Sequence, residues 1–189
     1  MQGFLPSLLV VAVAEIGDRT QLLALLLAVR FRSPVPILLG IAAATLANHA
    51  LAGALGAFVR AAITPELLRW GLAASFLALA AWVLRPDRLD NGQAPTVSRF
   101  GPFAVTLALF FMAEMGDKTQ IATIALGARY PDIPAVVIGT SLGLLAANVP
   151  AVLFGCAAAD RIPMRPVRWA AAALFAILGA ATAAGWVGL

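Results

Sequence analysis

The side chains able to do chemistry fall in two short stretches of otherwise apolar sequence. Ala14-Glu15-Ile16-Gly17-Asp18-Arg19-Thr20-Gln21 recurs as Ala113-Glu114-Met115-Gly116-Asp117-Lys118-Thr119-Gln120, identical at six of eight positions and conservative at the other two. This is an internal duplication. The two carboxylates of each copy, less Arg19 and Lys118, leave a charge that matches one divalent metal ion or two protons. The candidate ligands are all oxygen: Glu15, Asp18, Glu114 and Asp117, surrounded by Thr20, Gln21, Thr119, Gln120, Asn48 and Asn148. Such a set suits hard cations like Ca2+ and Mn2+. Zn2+ and Cu+ would recruit Cys or several His, and Mg2+ gives up water reluctantly.

The elements that carry these residues follow from composition. Of 189 residues, 62% are hydrophobic and only 12% charged, with a mean hydropathy of +0.94. A soluble enzyme or a disordered chain needs far more polar surface. The expected fold is all-α: a polytopic membrane protein with spans at Phe4 to Val29, Pro36 to Val59, Leu67 to Leu84, Pro102 to Ala128, Ile133 to Cys156 and Val167 to Val187. The one extended polar stretch, Arg85 to Arg99, joins two halves: a first repeat over 1–84, a cytoplasmic linker over 85–101 and a second repeat over 102–189.

The duplication extends well beyond the acidic stretch. At an offset of 99 residues it pairs Arg30 with Arg129 and Gly40 with Gly139; after one inserted residue it pairs Ala47-Asn48 with Ala147-Asn148. Three spans per half is an odd number, so the second repeat enters the membrane inverted, an arrangement that places transporter sites near the midplane. Glu15 and Glu114 fall near the middle of their spans, at the required depth. There Glu and Asp at i and i+3 would share one helix face, with the base at i+4 beside them. Gly17 and Gly116 also allow a local unwinding that would free carbonyls as ligands.

Arginine counts orient the chain. Arg30, Arg32, Arg85, Arg88, Arg99, Arg161, Arg165 and Arg168 lie in connectors on one side, against Arg60, Arg69 and Arg129 on the other. The first group marks the cytoplasm and places both termini outside. The net charge of +4 is scattered over these loops, which argues against nucleic acid as a partner. The N-terminal apolar run has no basic residue before it and reads as a retained span rather than a signal peptide. The single Cys156 excludes an internal disulfide.

Blander readings exist for each feature. The acids could neutralise only their own Arg or Lys as glue between helices, although a buried ion pair is rarely a net stabiliser and would not need two acids per base. His49 reads as a core or interhelical hydrogen-bonded histidine more than as a ligand or proton relay. Asn148, an amide in mid-span with Pro150 two residues on, is the stronger of the two Asn candidates. Trp70, Trp82, Trp169 and Trp186 read as interfacial anchors. No activated nucleophile points to an enzyme, and no bound cofactor is implied.

The duplicated E-x-G-D-[KR]-[ST], here Glu15 to Thr20 and Glu114 to Thr119, resembles the signature of the Gdt-type transporters, relatives of the Golgi TMEM manganese and calcium proteins that include bacterial manganese exporters. The match spans nearly the whole chain and neither motif departs from the pattern. The resemblance implies six spans, exchange of Mn2+ or Ca2+ against protons, and the acids of both motifs in the site.

Physics gives the reason for coupling. Moving a divalent cation outward against 100 mV, inside negative, costs roughly 4.6 kcal/mol, so export needs a driving ion. Ligating carboxylates must be deprotonated, so metal and protons compete for one site. Arg19 and Lys118 would then hold the carboxylates in place or tune their affinity. Competing classes are a proton-coupled exporter of a cationic amine and a non-transporting membrane subunit.

Overall fold

The computed structural model describes residues 3–85, 101–154 and 164–185. All secondary structure among them is helical, in eight helices: α1 (Phe4–Glu15), α2 (Arg19–Phe31), α3 (Pro34–Ala62), α4 (Pro65–Val83), α5 (Pro102–Glu114), α6 (Lys118–Arg129), α7 (Ile133–Phe154) and α8 (Met164–Ala183). Helices α3, α4 and α7 are each long and apolar enough to cross a bilayer; α1, α5 and residues Trp169–Ala183 of α8 are shorter apolar helices. The central linker from Pro86 to Phe100, Cys156, Arg161 and Trp186 lie outside the described residues.

The first and fourth expected spans are not continuous. Each breaks at its acidic motif, into α1 and α2 and into α5 and α6. Gly17 and Gly116 sit at φ +78° and +76°, a left-handed conformation that glycine alone adopts without a Cβ penalty. Asp18 and Asp117 then cap the next helix, each accepting from the backbone N–H two residues on, at 3.5 Å in both copies. The expectation that Glu and Asp share a helix face is therefore corrected: Glu15 and Glu114 end one half-helix, and Asp18 and Asp117 begin the next. α1, with its 12 residues, rises only roughly 18 Å, short of the roughly 30 Å of a bilayer's hydrocarbon.

Packing interlaces the two sequence halves. Gly40 of α3 lies against α5, where a Cβ would come within 2.8 Å of the Phe103 carbonyl; its repeat partner Gly139 of α7 lies against α1, at 2.5 Å from the Phe4 carbonyl. Gly127 of α6 meets Gly53 of α3 in the same way, at 2.8 Å from its carbonyl. Such close approach brings backbones together where lipid provides no hydrophobic drive between helices. Two cores result. One gathers Val10, Leu72, Phe76, Leu126 and Phe175 from α1, α4, α6 and α8. The other gathers Leu23, Leu27, Ile41, Phe110 and Leu144 from α2, α3, α5 and α7.

The half-helices are not buried alike. α6 buries Lys118, Thr119, Ala122, Thr123 and the residues from Ala125 to Arg129, whereas α2 buries only Thr20, Leu23, Ala24 and Leu27. Arg129, expected in a solvated connector, is enclosed by the bundle; it donates to the Thr182 hydroxyl at 2.9 Å and lies over the Tyr130 ring at 5.1 Å. Its repeat partner Arg30 is exposed. Trp70, Trp82 and Trp169 are exposed near the ends of α4 and α8.

Candidate functional site

The two breaks are built alike, atom for atom. In each, the Asp N–H donates to the Glu carbonyl, at 3.0 Å for Asp18 and 3.2 Å for Asp117. The glycine N–H donates to the glutamine Oε1, at 2.9 Å from Gly17 to Gln21 and 2.7 Å from Gly116 to Gln120. The threonine hydroxyl faces both carboxylates of its own copy. Thr20 donates to Glu15 and lies 3.1 Å from Asp18 Oδ2; Thr119 donates to Glu114 at 2.8 Å and lies 3.4 Å from Asp117 Oδ2. Since one hydroxyl carries one proton, the second carboxylate is left for another positive group.

That positive group comes from the other copy. Lys118 pairs with Asp18, both almost fully buried. Arg19 pairs with Asp117 at 3.3 Å and donates to the Ala113 carbonyl at 2.8 Å. Both of these ion pairs cross between the halves. The two acidic motifs thus converge on one centre.

Of the two asparagines on the long helices, Asn148 reaches this centre. Asn148 of α7 donates to Glu15 Oε1 at 3.1 Å and to the Leu144 carbonyl at 3.0 Å. Asn48 of α3 donates to the Phe111 carbonyl on α5 at 3.0 Å. With both amide nitrogens engaged, each Oδ1 is buried without a protein partner, as are Glu15 Oε2 and Glu114 Oε1. These four oxygens, two from each half, are acceptors with no donor. Left bare in a low-dielectric interior they are costly.

Other expected site residues play different parts. Gln21 uses its oxygen on Gly17 and its nitrogen on the Ala147 carbonyl, at 2.8 Å. Thr20 and Thr119 act as donors to carboxylates. His49 is buried with neither ring nitrogen bonded to protein, so the reading as a hydrogen-bonded core histidine does not hold. Among the described residues no group of three or more His, Cys, Asp or Glu stands ready to hold a metal ion. Asp18 and Asp117 are drawn to the opposite cation instead.

Comparison with known proteins places this architecture. The family model described as divalent cation/proton antiporter GDT1 matches residues 3–91 and 102–187. A Vibrio cholerae protein named "Putative manganese exporter" is 52% identical over 94% of this chain and 88% of its own length. "GDT1-like protein 3" of Oryza sativa subsp. indica is 32% identical over 89% of the chain and 69% of its own length. The Arabidopsis thaliana protein of that name is 31% identical over 89% of the chain and 66% of its own length. No solved structure matches the chain significantly. With the match running through both breaks and almost end to end, the chain belongs to the GDT1 family of divalent cation/proton antiporters, membrane transporters and not enzymes.

Proposed function

We propose that the chain is a six-span carrier of two inverted repeats, 1–84 and 102–189 joined by the linker 85–101, that exports Mn2+ or Ca2+ in exchange for protons. Both termini face outward from a bacterial plasma membrane, as the arginine bias supports. The observation that carries the reading is the set of buried, donorless oxygens on Glu15, Glu114, Asn48 and Asn148. The Vibrio cholerae relative's name favours manganese as the exported ion.

In this reading the divalent ion takes oxygens from Glu15 and Glu114 and from the two asparagines, and draws Asp18 and Asp117 away from Lys118 and Arg19. The tethered cations return when the ion leaves. Because four carboxylates and two cations carry a net charge that two protons or one divalent ion neutralises, exchange of two protons for one ion leaves the centre equally charged. A buried centre tolerates that trade far better than an uncompensated charge. The carboxyl ends of α1 and α5 add carbonyl dipoles of favourable sign for a cation.

Transport by purified protein in proteoliposomes tests the reading. With a pH gradient imposed, and Mn2+, Ca2+ and Mg2+ compared under one condition, the parent protein moves Mn2+ or Ca2+. Glu15→Gln and Glu114→Gln each abolish divalent flux while the proteins remain monodisperse. Flux surviving in both variants shows that the centre lies elsewhere.

A further inference from the structure

The two glutamines do not make the same bonds, although the bonds inside each break are otherwise matched. Both cap the glycine N–H of the break with Oε1. Only Gln21 carries on: its Nε2 donates to the Ala147 carbonyl of α7 at 2.8 Å. The sequence equivalent of that acceptor is Ala47 of α3, and among the described residues Gln120 makes no bond to it. The asparagines differ in step. Asn148, next to Ala147, reaches across to Glu15, whereas Asn48, next to Ala47, turns to the Phe111 carbonyl instead of Glu114. The bases differ too: Arg19 keeps 26% of its side chain exposed while Lys118 keeps 3%.

We infer that Gln21 and Gln120 are positioning residues that clamp the two breaks to the facing long helices in turn, rather than cation ligands. Gln21 spans the α1–α2 break and the backbone of α7, and so holds Asn148 over Glu15. The metal-facing pair of one half is assembled by this clamp, and the corresponding pair of the other half stands apart. In a carrier of two inverted repeats, the opposite conformer is reached when the halves exchange their local conformations. Gln120 would then reach the Ala47 carbonyl, Asn48 would turn from Phe111 to Glu114, and the Gln21 clamp would open. One hydrogen bond exchanged for its mirror image biases neither conformer, which suits a cycle that must pass both ways.

This inference rests on the proposed exchange of Mn2+ or Ca2+ for protons, and its test separates the two. Gln21→Met and Gln120→Met keep side-chain length and remove both amide bonds. Mn2+ exchange in proteoliposomes of fixed protein orientation gives KM at each face and Vmax. Gln21→Met is expected to raise KM about tenfold at one face, Gln120→Met at the opposite face, with Vmax changed far less. In the Gln21→Met background, Asn148→Ala should cost little more, because the clamp acts through Asn148. Equal effects at one face, unchanged KM in both variants, or strict additivity with Asn148→Ala overturns the inference. Should Gln21→Met fail to fold, Gln21→Glu keeps the acceptor for Gly17 and must still raise KM at the same face. If Glu15→Gln also retains flux, the site reading falls and this inference with it; if Glu15→Gln is inactive and the glutamine variants are silent, only this inference falls.

Discussion

The two crossed ion pairs are chemically alike but differently enclosed, so they should differ in worth. Asp18→Asn removes the partner of Lys118 while an amide oxygen still caps α2. The ammonium, 3% exposed, then loses the carboxylate it pairs with, and breaking a buried pair costs about 3–5 kcal/mol. Asp117→Asn strands Arg19, which is 26% exposed and keeps its bond to the Ala113 carbonyl. Because the guanidinium keeps that hydrogen-bonding partner, the loss should be nearer about 1 kcal/mol. Melting of the purified protein in detergent should therefore fall by roughly 10 °C for Asp18→Asn but only by about 2–4 °C for Asp117→Asn. Adding Lys118→Met to Asp18→Asn removes the stranded charge and should recover most of the loss. The cycle tests enclosure, not transport. Equal losses at the two aspartates, or no recovery in the double variant, would mean that the crossed pairing does not hold the centre together.

Two further outcomes follow from the same geometry. Because ligating carboxylates must shed their protons, apparent affinity for Mn2+ should weaken as pH falls, by up to about a hundredfold per unit if two protons are displaced; a binding titration between pH 5 and 8 that shows no pH dependence contradicts proton competition. At the α3–α6 seam, a Cβ on Gly56 would lie 2.6 Å from the Ala128 nitrogen and 2.9 Å from the Gly127 carbonyl carbon. Gly56→Ala should cost about 1–3 kcal/mol, whereas Gly71→Ala, with nothing within 4 Å, should leave melting unchanged.

What could be read in the sequence is what the duplication encodes twice. Six of eight matching residues place acid, glycine, base and hydroxyl at fixed steps, and a glycine before an aspartate in mid-span already points to unwinding. The positions of the long helices follow from Pro and Gly punctuation to within a few residues, as α3 at Pro34–Ala62 and α4 at Pro65–Val83 illustrate. The rest depends on neighbours distant in sequence. Lys118 against Asp18, Gln21 against Ala147 and Arg129 against Thr182 join different helices. Helices that are apolar all round carry no face signal to say which neighbour each will meet. The burial of α6 against the exposure of α2 is equally hidden, since Arg30 and Arg129 occupy matched places in the two copies.

The interlacing has its cause in the breaks themselves. A helix interrupted inside hydrocarbon leaves backbone and side-chain groups that water cannot satisfy. Within each copy the glycine N–H, the Asp N–H and the Thr N–H are met locally, by Gln, Glu and Asp. The remaining charge and polar atoms are not: Asp18 needs Lys118, Asp117 needs Arg19, the Ala113 carbonyl takes Arg19, and Glu15 takes Asn148. Each of those partners lies in the other half of the sequence. Neither half alone satisfies its own polar groups, so the two breaks meet, and what meets is an acidic centre whose cations, among the described residues, come from the opposite half. In the proposed carrier a divalent ion or protons would replace a tethered ammonium or guanidinium without unpicking a helix, which would make a centre this deeply buried both stable and exchangeable.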